Sequence, residues 1–295
     1  MKTRAIHHAV IIGAGTMGHG IAQIVAMSGC HVVLCDLRQE FIDKGLALIR
    51  KNLEKGVARG KVDPDVCRET LLRLSGSVDA PAAMATADLV VEAVPEDQEL
   101  KLRVLSEMGR HAGAHALLAT NTSSLPLSGL ASALPDPSRF IGLHFFNPPH
   151  IMRLVEIVVA KETSPATVEQ ATRLVARLGK EAIVVRDVPG FATSRLGLAI
   201  GLEAMRMLEE GVASAADIDR AMELGYNHPM GPLKLSDLVG LDVRLGISRT
   251  LARELDPVRF EPPEILLRKV REGRLGKKTG EGFYRWTVDG PEPLE

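Results

Sequence analysis

The chain has 295 residues, 45% hydrophobic and 25% charged, which suits a globular protein of one large domain or two domains of roughly 150 residues each. Its formal net charge of −1 argues against a whole-protein nucleic-acid or membrane-surface role, and 7 Phe, 2 Tyr and 1 Trp are too few for a base-stacking platform. No apolar run reaches about 18 residues, so no membrane span is expected.

The N-terminal segment Met1–His8 lacks an apolar signal core and leads straight into a strand-like run, Ala9–Ile12. Short apolar runs then alternate with helical stretches, as an α/β sheet domain requires. The strand-like runs are Ala9–Ile12, His31–Cys35, Ala87–Ala93, Leu117–Thr120, Phe140–Phe146, Val155–Val159 and Ala182–Val185; the helical ones include Met17–Met27, Asp43–Arg59 and Pro165–Leu178. The texture changes at Val188-Pro189-Gly190. Beyond it Arg195–Glu210, Asp217–Leu224 and Leu233–Leu255 read as helices, and Ser214-Ala215-Ala216-Asp217 has the form of a capping box. The expected organisation is therefore a doubly wound domain over 1–187 and an all-helical domain over 188–295. Cys30, Cys35 and Cys67 form no C-x-x-C pair and leave an odd number. That implies neither a zinc site nor a disulfide framework, and it fits buried thiols in a reducing cytoplasm. No histidine spacing suits a metal.

Gly13-Ala14-Gly15-Thr16-Met17-Gly18 is G-x-G-x-x-G, directly after a strand and opening a helix. The first glycine allows the tight turn, the second lets a pyrophosphate approach the backbone, and the third lets the helix pack closely on the sheet. A second strand follows and ends at Asp36, about 20 residues beyond the glycines, where a carboxylate bonds the ribose hydroxyls and repels a 2′-phosphate. NAD is the cofactor this context predicts, with Arg38 placed to blunt the discrimination against NADP.

Two later segments carry chemistry: Asn121-Thr122-Ser123-Ser124-Leu125, and Gly142-Leu143-His144-Phe145-Phe146-Asn147-Pro148 followed by Leu154-Val155-Glu156. Strand ends collect at the ligand edge of an open α/β sheet. Oxidising an alcohol by hydride transfer needs a base for its proton, a role that suits His144, with Glu156 available to orient the ring. On residue type alone, His144 also fits a structural histidine, Ser123 a turn hydroxyl and Glu156 a strand-end acid.

Over nearly its whole length the sequence resembles the L-3-hydroxyacyl-CoA dehydrogenase family, closest to the short-chain 3-hydroxybutyryl-CoA dehydrogenases. The resemblance rests on GAGTMG, VVEAVPE, NTSSL, GLHFFNP, LVEIV, DVPGF, HPMGP and GKKTGEGFY. It implies reversible, NAD-dependent oxidation of an (S)-3-hydroxyacyl-CoA by a Rossmann-type domain followed by a helical domain that forms a homodimer. It further implies that His144 is the general base, Glu156 its orienting acid and Ser123 a contact of the substrate oxygen. The cofactor contacts would be the Gly13–Gly18 loop, Asp36, Glu96, Lys101, Asn147 and Lys278. Lys51, Asn52, Lys55 and Arg59 would hold CoA, although these same residues suit a solvated helix face. One position departs from the family, whose P-G-F-x-x-N-R segment reads here Pro189-Gly190-Phe191-Ala192-Thr193-Ser194-Arg195. Ser194 replaces an active-site amide, with a shorter reach and fewer hydrogen-bonding atoms. The competing readings are a dehydrogenase of a free 3-hydroxy or sugar acid, which would not need the basic helix, and a non-catalytic NAD-binding protein. With 295 residues filled by the two domains, no fused hydratase domain is expected.

Overall fold

The structure, a computed structural model, describes residues 5–294; the first four residues of the segment read for a signal core lie outside it. The chain divides after Val188 into two compact units. In chain order the first comprises β1 (His8–Ile12), α1 (Thr16–Met27), β2 (His31–Cys35), α2 (Gln39–Ala58), α3 (Pro64–Leu72), β3 (Leu74–Ser77) and α4 (Ala80–Met84). It continues with β4 (Leu89–Glu92), α5 (Gln98–His111), β5 (Leu117–Thr120), α6 (Leu127–Ala131), β6 (Phe140–Phe145), β7 (Leu154–Val159), α7 (Pro165–Arg177) and β8 (Glu181–Arg186).

The eight strands form one sheet in the order β3-β2-β1-β4-β5-β6-β7-β8. Every neighbouring pair is parallel except β6 and β7, which run antiparallel. Strands β4, β5 and β6 are buried along their whole length, as strands covered by helices on both faces must be, and this is why they read as continuous apolar runs. The main core lies where Ile11, Leu34, Val91 and Ala119 of the sheet meet Ile21 and Val25 of α1 and Ile49 and Leu53 of α2. Helix α2 begins a turn earlier than its apolar pattern predicts, at Gln39. Strand β3 was not expected: its sequence, LSGS, is polar and lies at the sheet edge.

The second unit contains α8 (Thr193–Glu209), α9 (Ala215–Gly225), α10 (Pro232–Val239), α11 (Leu241–Glu254) and α12 (Glu264–Arg271). The all-helical expectation needs one correction, because an antiparallel hairpin, β9 (Tyr284–Thr287) and β10 (Gly290–Pro293), closes this unit. Its turn is the two residues Val288-Asp289, between the paired Thr287 and Gly290. Ser214 caps α9 as its sequence predicts, accepting the N–H of Asp217 at 3.1 Å. Asp219 is buried and does the same for another element: its carboxylate accepts the N–H groups of Leu233 (2.7 Å) and Lys234 (3.0 Å) in the first turn of α10 and the hydroxyl of Tyr284 (2.8 Å). Asp237 accepts the N–H groups of Phe283 and Tyr284, fixing the hairpin's entry. Among the described residues no helix is long and apolar enough to cross a membrane.

Candidate active site

The turn between β1 and α1 shows why each glycine is needed. Gly13 has φ +103°, and a Cβ there would lie 2.6 Å from the Ala93 carbonyl oxygen. At Gly18 a Cβ would lie 1.7 Å from the Gly13 oxygen, so this glycine sets the closeness of helix and turn. At Gly15 a Cβ meets nothing within 4 Å. Gly15 is also the N-cap of α1 and offers no side-chain cap, so the first-turn amides and the positive helix end are presented to an anion. The Asp36 carboxylate is pinned across the turn by the N–H groups of Ala14 and Leu37, each at 2.7 Å. These residues fit a dinucleotide: a bare cradle for the pyrophosphate and an acid placed for the ribose. Arg38 is turned to other work, stacked 4.3 Å over the Phe41 ring and paired with Glu40 at 3.0 Å.

A pocket of about 980 Å³ opens from this turn. At one end Phe41, Lys44 and Leu48 of α2 face Val78, Leu100 and Val104, a mostly apolar wall suited to a flat heteroaromatic ring. At the other end lie Asn121, Ser123, His144, Phe146 and Asn147. The antiparallel register of β6 and β7 pairs His144 with Glu156, and cross-strand neighbours share a face. His144 Nδ1 lies 2.7 Å from Glu156 Oε2. His144 is 7% exposed and Glu156 is 0% exposed, so the pair is shielded from solvent screening.

The loop after β5 is organised by Glu96. Its Oε1 accepts the Thr122 hydroxyl (2.6 Å) and the N–H groups of Ser123 (2.8 Å) and Ser124 (3.0 Å), with the Ser123 hydroxyl at 3.2 Å. Burial pushes the Glu96 carboxyl upward, but the Lys101 ammonium and these hydrogen bonds outweigh it and hold it below the usual carboxylate range. Asn121 Oδ1 accepts the Phe145 N–H at 3.0 Å, tying this loop to the end of β6.

Comparison with known proteins agrees with this geometry over both units. Residues 8–188 match the family model described as 3-hydroxyacyl-CoA dehydrogenase, NAD binding domain, and residues 190–286 match 3-hydroxyacyl-CoA dehydrogenase, C-terminal domain. The chain belongs to the 3-hydroxyacyl-CoA dehydrogenase family. It is 42% identical to a probable 3-hydroxybutyryl-CoA dehydrogenase of Deinococcus radiodurans over 94% of this chain and 99% of that one. It is 39% identical to the mitochondrial hydroxyacyl-coenzyme A dehydrogenase of Sus scrofa, covering 97% of this chain and 93% of that one. The crystal structure of (S)-3-hydroxybutyryl-CoA dehydrogenase from Ralstonia eutropha superposes with a TM-score of 0.93 at 37% identity, over 96% of this chain and all of that one. This family member is thus an NAD-dependent oxidoreductase whose first unit is the NAD-binding domain.

Of the residues the sequence singles out in this dehydrogenase, Gly13 through Met17, Asp36, Glu96, Ser123, His144 and Asn147 all line the one pocket. Gly18 lies behind it. Lys101 is 1% exposed and does not line this pocket. Its ammonium bonds Glu92 Oε1 (2.6 Å) and the Val94 carbonyl (3.2 Å) and lies 3.4 Å from Glu96 Oε2. On α2, Lys51 and Lys55 are exposed, Arg59 caps the helix end, and Asn52 reaches Gln23 Oε1 at 3.4 Å. Ser194 lies in the first turn of α8, and the Lys278 ammonium is held by both oxygens of Asp242 at 2.6 Å. Lys44 and Phe41 were missed by sequence reasoning. The signal was available, since both stand in the first two turns of the helix that follows Asp36.

Proposed function

We propose that this dehydrogenase oxidises the 3-hydroxyl of an (S)-3-hydroxyacyl-CoA, with 3-hydroxybutyryl-CoA as the short-chain case, and runs the reaction in both directions. The observation that carries the reading is the buried His144–Glu156 bond of 2.7 Å, at the end of a pocket that begins on the dinucleotide turn. Bound NAD supplies the hydride acceptor. His144 takes the 3-hydroxyl proton on Nε2 as the C3–H bond breaks. Glu156, an acceptor only when ionised, keeps the proton on Nδ1 and stabilises the imidazolium that results. In the reverse direction the imidazolium returns the proton, and the same pair serves as the acid.

The Ser123 hydroxyl bonds the substrate oxygen. Lys51, Asn52, Lys55 and Arg59 hold the CoA phosphates. Lys51, Lys55 and Arg59 follow one another at four-residue spacing, which places them along one side of α2. The names of the Deinococcus and Ralstonia relatives support the short acyl chain. The exposed apolar side chains Leu196, Ile200, Leu238 and Val243 in the helical unit support a homodimer, and three buried free cysteines support a reducing, cytoplasmic setting.

The test is a steady-state assay of NADH oxidation with acetoacetyl-CoA, with free acetoacetate and NADPH as controls. Turnover of the thioester alone is expected. Turnover of free acetoacetate at the same rate would remove CoA from the reading, and NADH binding without any turnover would remove the reaction.

A further inference from the structure

We infer that Arg244 of α11 and Gly197 of α8 form a binding site for a carboxylate within the helical unit. The site is independent of the reaction proposed above, which enters only in the second arm of the test. Arg244 is 4% exposed. Its Nε is buried without an acceptor, and among the described residues no acid pairs with its guanidinium. The two buried lysines are answered, Lys101 by Glu92 at 2.6 Å and Lys269 by the Gly282 carbonyl at 2.7 Å. A cation withdrawn from water without a partner is costly, and an apolar side chain of similar volume would serve the fold better. Neutralisation gives no escape. Burial lowers the Arg244 pKa to about 10, so the side chain keeps its charge at neutral pH. The helical unit therefore holds a charge that its own packing does not use.

Gly197 shows where that charge is directed. A Cβ there would meet, beyond its own helix, Arg244 Nη1 at 3.5 Å and Nη2 at 3.9 Å and nothing else within 4 Å. The space above the glycine is thus open except for the two terminal nitrogens of the guanidinium. Gly197 is half-buried, so this slot has an open side. A glycine inside a helix is less favourable than an alanine; here it leaves, in front of the guanidinium, the room that a methyl group would fill. Charge and shape then set the ligand class. Burial alone moves Arg244, and no neighbouring charge of either sign does, so the site balances one negative charge and a phosphate dianion would bring one too many. A guanidinium offers two parallel N–H donors to the two oxygens of a carboxylate. That carboxylate belongs either to a free acid or to the far end of the substrate's acyl chain, and the two sources are separable.

The first arm of the test reads the Tm of the full chain in sodium butyrate against sodium chloride of equal ionic strength. Butyrate at about ten times its Kd should raise the wild-type Tm by about 2–4 °C. Arg244→Met should remove that rise, and its Tm in chloride should equal or exceed wild type, because an unpaired buried charge has gone. Gly197→Ala keeps the arginine, favours the helix and fills the slot, so it too should remove the rise. The second arm reads the ratio of kcat/KM for 3-oxoadipyl-CoA, whose acyl chain ends in a carboxylate, to that for acetoacetyl-CoA at saturating NADH. A carboxylate carried by the substrate predicts that this ratio falls about tenfold to a hundredfold in both variants, the range for a hydrogen bond to a charged group. A butyrate effect with an unchanged ratio assigns the site to a free acid. Failure of both arms would overturn the site. A lower Tm of Arg244→Met in chloride would do the same, since the arginine would then already be paired. So would a dimer weakened by Arg244→Met with neither arm moving, which gives the charge to an acid of a second copy. If wild type turns over neither thioester while butyrate still raises its Tm, the functional reading fails and the site stands.

Discussion

The dinucleotide turn and the His144–Glu156 pair are built on opposite plans. The turn is six consecutive residues whose geometry is fixed by the absence of side chains: a Cβ at position 18 would sit 1.7 Å from backbone. The pair consists of two side chains from separate strands, and its 2.7 Å separation is set by which strand runs beside which. The first kind of site is lost by adding a methyl group, and the second by removing a functional group. The two therefore fail differently, one through folding and ligand affinity, the other through turnover.

That contrast can be broken or sharpened by measurement, beginning with the largest effect. His144→Ala should lower kcat by about 10²–10⁴-fold while NADH affinity and Tm stay near wild type. A loss carried mainly by NADH Kd would mean the histidine belongs to the cofactor site. Gly18→Ala should destabilise the first unit by about 3 kcal/mol or more through overpacking against backbone, seen as a lowered Tm without ligand. Gly15→Ala should leave that Tm unchanged and weaken NADH by roughly tenfold, because its methyl group enters only the pyrophosphate cradle. Equal Tm losses in the two alanine variants would erase the division of labour between the glycines. Glu156→Gln should lower kcat by roughly tenfold or more with little change in KM, since it removes the charge that stabilises the imidazolium.

The smallest effect is expected at Lys278. Asp242 is pushed up by burial, but its bonds to Lys278 and to backbone N–H groups outweigh this and lower its pKa. A lowered acid contributes stability above its unfolded value of about 3.9 and loses it as pH falls through the lowered folded value. Lys278→Ala should therefore cost at most about 1 kcal/mol at neutral pH, as partly exposed pairs do, and the difference from wild type should disappear in acid. A large rise in NADH Kd instead would make Lys278 the cofactor contact that the resemblance implies.

How much of this was legible in the sequence follows from the same contrast. Gly13, Gly15, Gly18 and Asp36 announce themselves because local spacing alone defines their job. His144 and Glu156 could be named as candidates, yet residue type left each with a structural alternative, because the antiparallel reversal at β7 that brings them together is not written in either segment. The buried partner of Lys101 is hidden for a related reason, since Glu92 ends the neighbouring strand β4 and only the packing brings the two together. Among the elements, β3 escaped because Ser75, Gly76 and Ser77 carry no apolar pattern. A Cβ at Gly76 would lie 2.2 Å from the Ile42 side chain, so helix packing there selects against the very residues that mark a strand. The hairpin Tyr284–Pro293 escaped because it follows a run of helices and its turn, Val288-Asp289, is not one of the dipeptides that mark a hairpin.

The ladder between β6 and β7 also sets what this enzyme can tolerate. Backbone hydrogen bonds fix its register, and a slip of one residue would turn every side chain of β7 to the opposite face of the sheet. The connection between the strands, residues 146–153, meets the pair at one point, where the Phe146 ring packs 4.5 Å from the His144 ring, centroid to centroid. Lengthening it beyond Pro149, and so clear of Phe146 and Asn147 on the pocket wall, adds loop-closure entropy of about 0.6 kcal/mol per doubling. Insertions around Ile151 and Met152, both exposed and neither lining the pocket, are therefore open to a designer who wishes to vary this connection. They would leave the 2.7 Å separation of His144 and Glu156 where the ladder puts it.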